Sequence, residues 1–169
     1  MIRPILRYGD HPLHDPAEPV TEITAEIQRL IDDMIETMYA APGIGLAAPQ
    51  VGVPVRLFVA DISAGRNPRD LLTFINPVFV ERTGSQREEE GCLSVPGFNA
   101  TVTRCSRAVV TGLARDGGEQ TIEGTGLLAR CFEHEMDHLD GRVFVDHLRG
   151  LQRELIVRKI KKLARDGKW

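Results

Sequence analysis

Apolar residues at Ile27, Leu30, Ile31, Met34, Ile35 and Met38 recur at three- and four-residue steps, the spacing of an amphipathic helix with one buried face. Pro42-Gly43 ends that pattern. The rhythm then changes to short β-branched and apolar runs at Val55 to Asp61, Leu71 to Asn76, Val78 to Arg82, Val102 to Arg104 and Ala108 to Leu113. Gly, Pro and Asn punctuate these runs, so they read as strands, several of them in hairpins. Asp116-Gly117-Gly118 makes a tight turn into a further short strand near Gln120 to Glu123. A second helical pattern opens at Thr125 and runs to Asp140, with Gly141 as its stop. A third, about Leu148 to Ala164, sets Leu151, Leu155, Ile156, Ile160 and Leu163 on one side and basic residues on the other. The order helix, strands, helix, helix lacks the βαβ alternation of a doubly wound sheet, which makes α+β the expected class.

Composition narrows the setting. A chain of 169 residues with 42% hydrophobic and 27% charged residues is ordinary for a single globular domain spanning 1–169. No apolar run approaches the roughly 20 residues that span a bilayer, so no membrane partner is expected. The segment Met1 to Arg7 lacks the apolar stretch of a secretory signal, and a bacterial cytoplasmic address is the expectation, with an organelle as the alternative after removal of a transit peptide. Cys92, Cys105 and Cys131 are odd in number and show no Cys-x-x-Cys spacing, which argues against disulfides and a zinc ribbon. The net charge of −3 is unevenly spread: from Leu148 onward eight Lys and Arg face two acids, a local +6 that leaves −9 on the rest.

The second helical pattern contains His134-Glu135-Met136-Asp137-His138. At about 3.6 residues per turn, positions i and i+4 share a face, so both imidazoles can reach one cation, with Glu135 beside them to move a proton. Two scattered histidines on a solvated face are the bland alternative. A catalytic metal commonly takes a third protein ligand and keeps a position for water. Cys131 lies on the same helical stripe and would approach from nearly the same side, which closes a tetrahedron poorly. Cys92, in Glu90-Gly91-Cys92-Leu93-Ser94, is the better geometric choice, and its neighbour Leu93 offers an N–H nearby. Cys131 reads as a small buried side chain, and nothing beside Cys105 suggests chemistry. His147 is the alternative third ligand, as in a peptidase cleaving internal bonds, but it follows closely after Gly141.

Gly43-Ile44-Gly45-Leu46-Ala47-Ala48-Pro49-Gln50 fits the Gly-x-Gly-x-x-Ala form of a dinucleotide loop. Its context rejects that reading, because it follows a helix and Pro49 interrupts the helix that should begin. It remains a flexible backbone segment able to lie along a substrate chain, with Gln50 as an amide donor. Taken together and in this order, Gly43 to Gln50, Glu90 to Ser94 and His134 to Gly141 strongly resemble the three signature motifs of the peptide deformylases. The similarity extends over the whole chain.

That resemblance implies an α+β fold with antiparallel sheets around the motif helix, and removal of the N-formyl group from the formyl-methionine of nascent polypeptides, with formate as product. It implies Cys92, His134 and His138 as metal ligands, Glu135 as general base, and Gln50 with the backbone N–H of Leu93 as oxyanion donors. The metal implied is iron(II), with zinc, nickel and cobalt as alternatives that a thiolate and two imidazoles also suit. A nascent peptide is expected to add as a strand along Gly43, Ile44, Gly45 and Leu46 on one side and Glu89 and Gly91 on the other. Its methionine is expected near Leu127 and Cys131, with Arg130 and Glu133 as polar positions of the motif helix. Glu90 and Arg104 resemble the family's structural ion pair, although the sequence equally allows a surface pair worth under about 1 kcal/mol. A fold kept for binding alone, without turnover, is the other rival. The basic tail, Arg149, Arg153, Arg158, Lys159, Lys161, Lys162, Arg165 and Lys168, is expected either to contact ribosomal RNA or to be a solvated helix face.

Overall fold

The computed structural model describes residues 1–169. Helix α1 spans Ala25–Ala40 and is followed by strands β1 (Gly45–Ala47), β2 (Leu57–Ala60), β3 (Leu72–Thr83), β4 (Gln86–Gly91), β5 (Asn99–Arg104), β6 (Arg107–Leu113) and β7 (Glu119–Thr125). Helices α2 (Leu127–Leu139) and α3 (Gly150–Arg165) complete the chain. Five strands form an antiparallel sheet in the order β1-β2-β3-β6-β7, and β4 and β5 form a separate antiparallel pair. The class is α+β.

The central sheet is covered on both faces, which explains why β2 reads Leu-Phe-Val-Ala without polar alternation. Phe58 and Ala60 point toward α2, where Phe58, Phe74 and Phe132 meet with ring centroids 5.4–6.2 Å apart. Leu57 and Val59 point the other way, toward Leu30, Ile31, Met34 and Met38 of α1. A third cluster joins Val95, Ala100 and Val102 around β5 to Phe144, Val145, Ile156 and Ile160. Helix α2 is thereby pressed against the sheet along its apolar stripe and capped at its C-terminus by Arg56, whose Nη1 donates to Leu139 O at 3.0 Å. Gly141 turns the chain away at φ +77°, and a Cβ there would lie 2.6 Å from the backbone of Asp15, so side-chain-bearing residues are shut out twice.

The structure departs from the pattern reading in instructive places. Leu71 to Asn76 and Val78 to Arg82 join into one strand, because Asn76 at φ +52° and Pro77 make an irregularity in the ladder instead of a turn. The Asn76 side chain holds the bend by bonding both the N–H and the C=O of Val20 at 2.8 Å. Strand β4, Gln-Arg-Glu-Glu-Glu-Gly, carries no apolar signal and was invisible to a hydrophobic pattern. Helix α2 begins at Leu127, since Thr125 still belongs to β7 and Gly126 takes φ +54° between them. In α3, Ile156 and Ile160 are buried as expected, but Leu151 (67% exposed) and Leu155 (41% exposed) are not.

Candidate active site

Strands β1 and β4 are each paired on one side only, β1 with β2 and β4 with β5. Between them lies a cavity of about 400 Å³ lined by Gly43, Ile44 and Gly45 on one bank, Glu89 and Gly91 on the other, and α2 residues Leu127, Cys131, His134 and Glu135 at the back. Gln50, Cys92 and Leu93 also line it. Of the residues expected along the cleft, Leu46 alone turns its side chain away, into the cluster against α1. Leu127 stands half-exposed at the mouth, and Cys131 is buried beside the Ile44 carbonyl.

Cys92, His134 and His138 converge, with ligand atoms all within 4.8 Å of one another. Cys92 Sγ lies 3.4 Å from His138 Nε2, which is 3.3 Å from His134 Nε2. A tetrahedral cation with bonds of about 2.0–2.1 Å to nitrogen and about 2.3 Å to sulfur sets such separations at about 3.4–3.6 Å. Two of the three donor separations therefore match those of a coordination tetrahedron, and the third donor pair lies within 4.8 Å. A proton between two of them satisfies one contact, whereas a divalent cation satisfies all three. The ligand chemistry agrees: burial pushes the Cys92 thiol up, but His138 and His134 outweigh it and bring it down to about 5, so sulfur is held as thiolate.

His134 is held from behind, whereas His138 Nδ1 is buried without a partner. Glu90, the buried residue of β4, accepts from His134 Nδ1 at 2.5 Å, which turns Nε2 toward the cluster. The same carboxylate receives Arg104 through two bonds of 2.6 and 3.1 Å and Arg130 at 2.8 Å. Arg104 is 1% exposed in its side chain, so the Glu90–Arg104 pair is a buried network and not a surface contact. Arg104 continues to Asp137 at 2.7 Å, and Asp137 to His147 at 2.6 Å. His147 is thus absent from the three-donor cluster and stands at the far end of this chain of contacts.

Gln50 sits in the short 3₁₀ turn Ala48–Val51, 1% exposed. Its Oε1 accepts from Ala47 N at 2.9 Å and its Nε2 donates to Ser94 Oγ at 3.1 Å, which fixes the amide with nitrogen toward Cys92. The N-terminal segment ties these two loops together, Leu6 N donating to Gln50 O and Tyr8 N to Ser94 O at 2.8 and 2.9 Å. Glu135 is buried, with Oε2 unpartnered beside the cluster. Burial raises its carboxyl, His134 and His138 oppose, and the balance is about 7, a value at which a carboxylate takes and returns a proton near neutrality. The motifs of the sequence name Cys92, His134, His138, Glu135 and Gln50, and the fold brings these five residues together. The motifs give no role to Ser94 and Asp137, whose partners lie on other elements and leave no local signal.

A helix-borne pair of histidines, a buried glutamate between them and a thiolate closing the third corner define a hydrolase with a metal-binding cluster. The sequence profile of the polypeptide deformylases matches residues 2–154. The peptide deformylase of Acidobacterium capsulatum is 48% identical over 169 residues, covering 100% of this chain and 99% of the relative. That of Thermodesulfovibrio yellowstonii is 50% identical over 157 residues, covering 93% and 95%. The crystal structure of a peptide deformylase from Legionella pneumophila superposes with a TM-score of 0.92 at 45% identity, covering 98% of this chain and 96% of that one. The chain belongs to the polypeptide deformylase family, hydrolases that remove the N-formyl group from nascent peptides.

Proposed function

We propose that residues 1–169 form a single catalytic domain that removes formyl from an N-terminal formyl-methionine in a metal-dependent reaction and releases formate. The observation that carries this reading is the three-donor cluster, its ligand atoms within 4.8 Å of one another and His138 Nε2 within 3.3–3.4 Å of both others, with the unpartnered Oε2 of buried Glu135 beside it, at the floor of a cleft between two free strand edges. Cys92, His134 and His138 hold the metal, iron(II) in the cell, with zinc, nickel or cobalt able to take the same ligands. A divalent cation bound there supplies Lewis acidity, activating water and polarising the formyl carbonyl.

The chain's own residues do the rest. Glu135 takes a proton from the attacking water and gives it to the departing amine. Gln50 Nε2, its amide oriented by Ala47 and Ser94, and the Leu93 N–H donate to the oxygen on which charge develops. The peptide enters as a strand between Gly43 to Leu46 and Glu89 to Gly91, pairing through backbone groups that are indifferent to sequence. Its methionine side chain lies against Leu127 and Cys131, where apolar contact selects it. No helix is long and apolar enough to cross a membrane. The setting is the bacterial cytoplasm, where the exposed basic face of α3 meets ribosomal RNA and brings the enzyme to emerging chains.

Two substrates test the reading: a formyl-Met-peptide, and an N-acetylated peptide with the same internal bonds. Formate release from the first and no cleavage of the second is expected. Internal cleavage without formate would transfer the site to the peptidases.

A further inference from the structure

His147 resembles a metal ligand in the sequence and is not one in the fold, yet it is bonded into the site. Its Nε2 lies 2.6 Å from Asp137 Oδ2. The same oxygen receives Arg104 Nη1 at 2.7 Å. Arg104 grips both oxygens of Glu90, and Glu90 Oε1 holds Nδ1 of His134. Four successive polar contacts therefore run from a side chain 32% exposed to solvent, through α2, β5 and β4, to one imidazole of the three-donor cluster. Every intermediate member is largely buried: Arg104 at 1%, Glu90 at 5% and Asp137 at 16% side-chain exposure. Charges alternate along it, carboxylate, guanidinium, carboxylate, so each contact polarises the next in a low-dielectric setting.

We propose that His147 is a positioning residue for His134, acting through Asp137, Arg104 and Glu90 to hold the imidazole in the orientation that a bound metal requires. The physical basis is competition for Arg104. Its Nη1 is held by Asp137, and Glu133 waits 3.8 Å away as an alternative carboxylate. His147 donates to Asp137 and fixes the rotamer in which Asp137 meets Arg104; without that donor Asp137 is free to turn toward solvent and Arg104 to slide toward Glu133. Glu90 then loses the geometry of its two-pronged grip, and the His134 ring loses its fixed tautomer and tilt. Groups behind a ligand commonly change metal affinity by about 10- to 100-fold, and a residue three links away is expected to do less. Asp137 and Arg104 are the charged groups facing His147 from α2 and β5, and Asp146 is the acid beside it on its own turn.

The inference rests on Cys92, His134 and His138 holding a metal, and the experiment separates the two ideas. The full chain is loaded with cobalt(II), whose visible absorption reports the tetrahedral thiolate–imidazole environment. Its loss to excess chelator is then timed for the parent, His147→Ala and His147→Gln, with thermal unfolding of each metal-free protein recorded alongside. Gln keeps an N–H near the position of Nε2. Cobalt leaving about three- to tenfold faster from His147→Ala, with a shifted spectrum, and near-parental behaviour from His147→Gln are the expected results. Parental loss rates and spectrum in His147→Ala would overturn the proposal, as would equal acceleration in both variants. A parent that fails to take up cobalt would instead overturn the metal site itself.

Discussion

Replacing Glu90 by Gln tests how the site is built, because one carboxylate there serves three partners. It accepts from His134 Nδ1 at 2.5 Å, from Arg104 at 2.6 and 3.1 Å and from Arg130 at 2.8 Å. Gln is nearly isosteric but offers one accepting oxygen and an NH₂. If the oxygen faces His134, the NH₂ points at guanidinium donors, and two buried cations lose a counter-charge. Removing one side of a buried ionic network costs about 3–5 kcal/mol. At about 2–4 °C per kcal/mol for a domain of this size, the metal-free protein should melt about 6–20 °C lower. Loss of the group behind a ligand should also weaken metal binding by about 10- to 100-fold. The pH dependence has a definite sign. Burial raises the Glu90 carboxyl, but His134 and Arg104 prevail and hold it well below the usual carboxylate range. Its stabilisation is therefore present above the unfolded value near 4.5 and lost only in strong acid. Calorimetry of the metal-free proteins and competition titration with a chelator measure both effects. A melting point within 2 °C of the parent and unchanged metal affinity would refute this reasoning.

Glu135→Gln should retain metal but lower kcat by about 10²- to 10⁴-fold, since the proton carrier is gone. The same substitution should stabilise the metal-free protein at pH 8 and progressively less toward pH 5. Folded Glu135 holds its proton up to about 7, so between 4.5 and 7 the native state binds more protons than the unfolded one and stability falls as pH rises. Melting curves at several pH values check this. Gly45→Ala would place a methyl 2.4 Å from Glu135 Oε1 and 3.1 Å from Cys131 Sγ. Displacing the carboxylate by about 1 Å should cost about 10²-fold in kcat with metal content unchanged, which steady-state kinetics beside metal analysis will show. Changing the exposed Arg158, Lys161, Lys162 and Arg165 to Gln should leave deformylation of a short peptide intact and weaken ribosome co-sedimentation, with a flatter salt dependence. Unaltered co-sedimentation would remove the ribosomal role of α3.

The legible parts of this chain were those written in local periodicity or short motifs. Ile27 to Met38 announced α1, and His134, Glu135 and His138 announced the chemistry of α2, because a helix brings i and i+4 together without help from the rest of the fold. Cys92 could be preferred over Cys131 by asking from which side a third ligand must come. Strand β4 was hidden because its inward residue is Glu90, buried by a network and not by hydrophobicity. The joined strand β3 was hidden because the Asn76 bend depends on Val20, 56 residues away. The role of His147 was hidden for the same reason: its meaning lies in Asp137, Arg104 and Glu90, which three different elements supply. The exposure of Leu151 and Leu155 shows the converse, that an apolar stripe alone does not say how much of it the fold will cover.

Formyl removal through a metal held by Cys92, His134 and His138 makes activity and metal content rise and fall together. The most direct measurement is metal stoichiometry on anaerobically purified protein, paired with formate release from a formyl-Met-peptide before chelation, after it and after reloading. One metal per chain, activity lost with the metal and restored by it, and no metal or activity in Cys92→Ala are the predicted results. Undiminished formate release from the metal-free protein would show that the reaction does not need the metal.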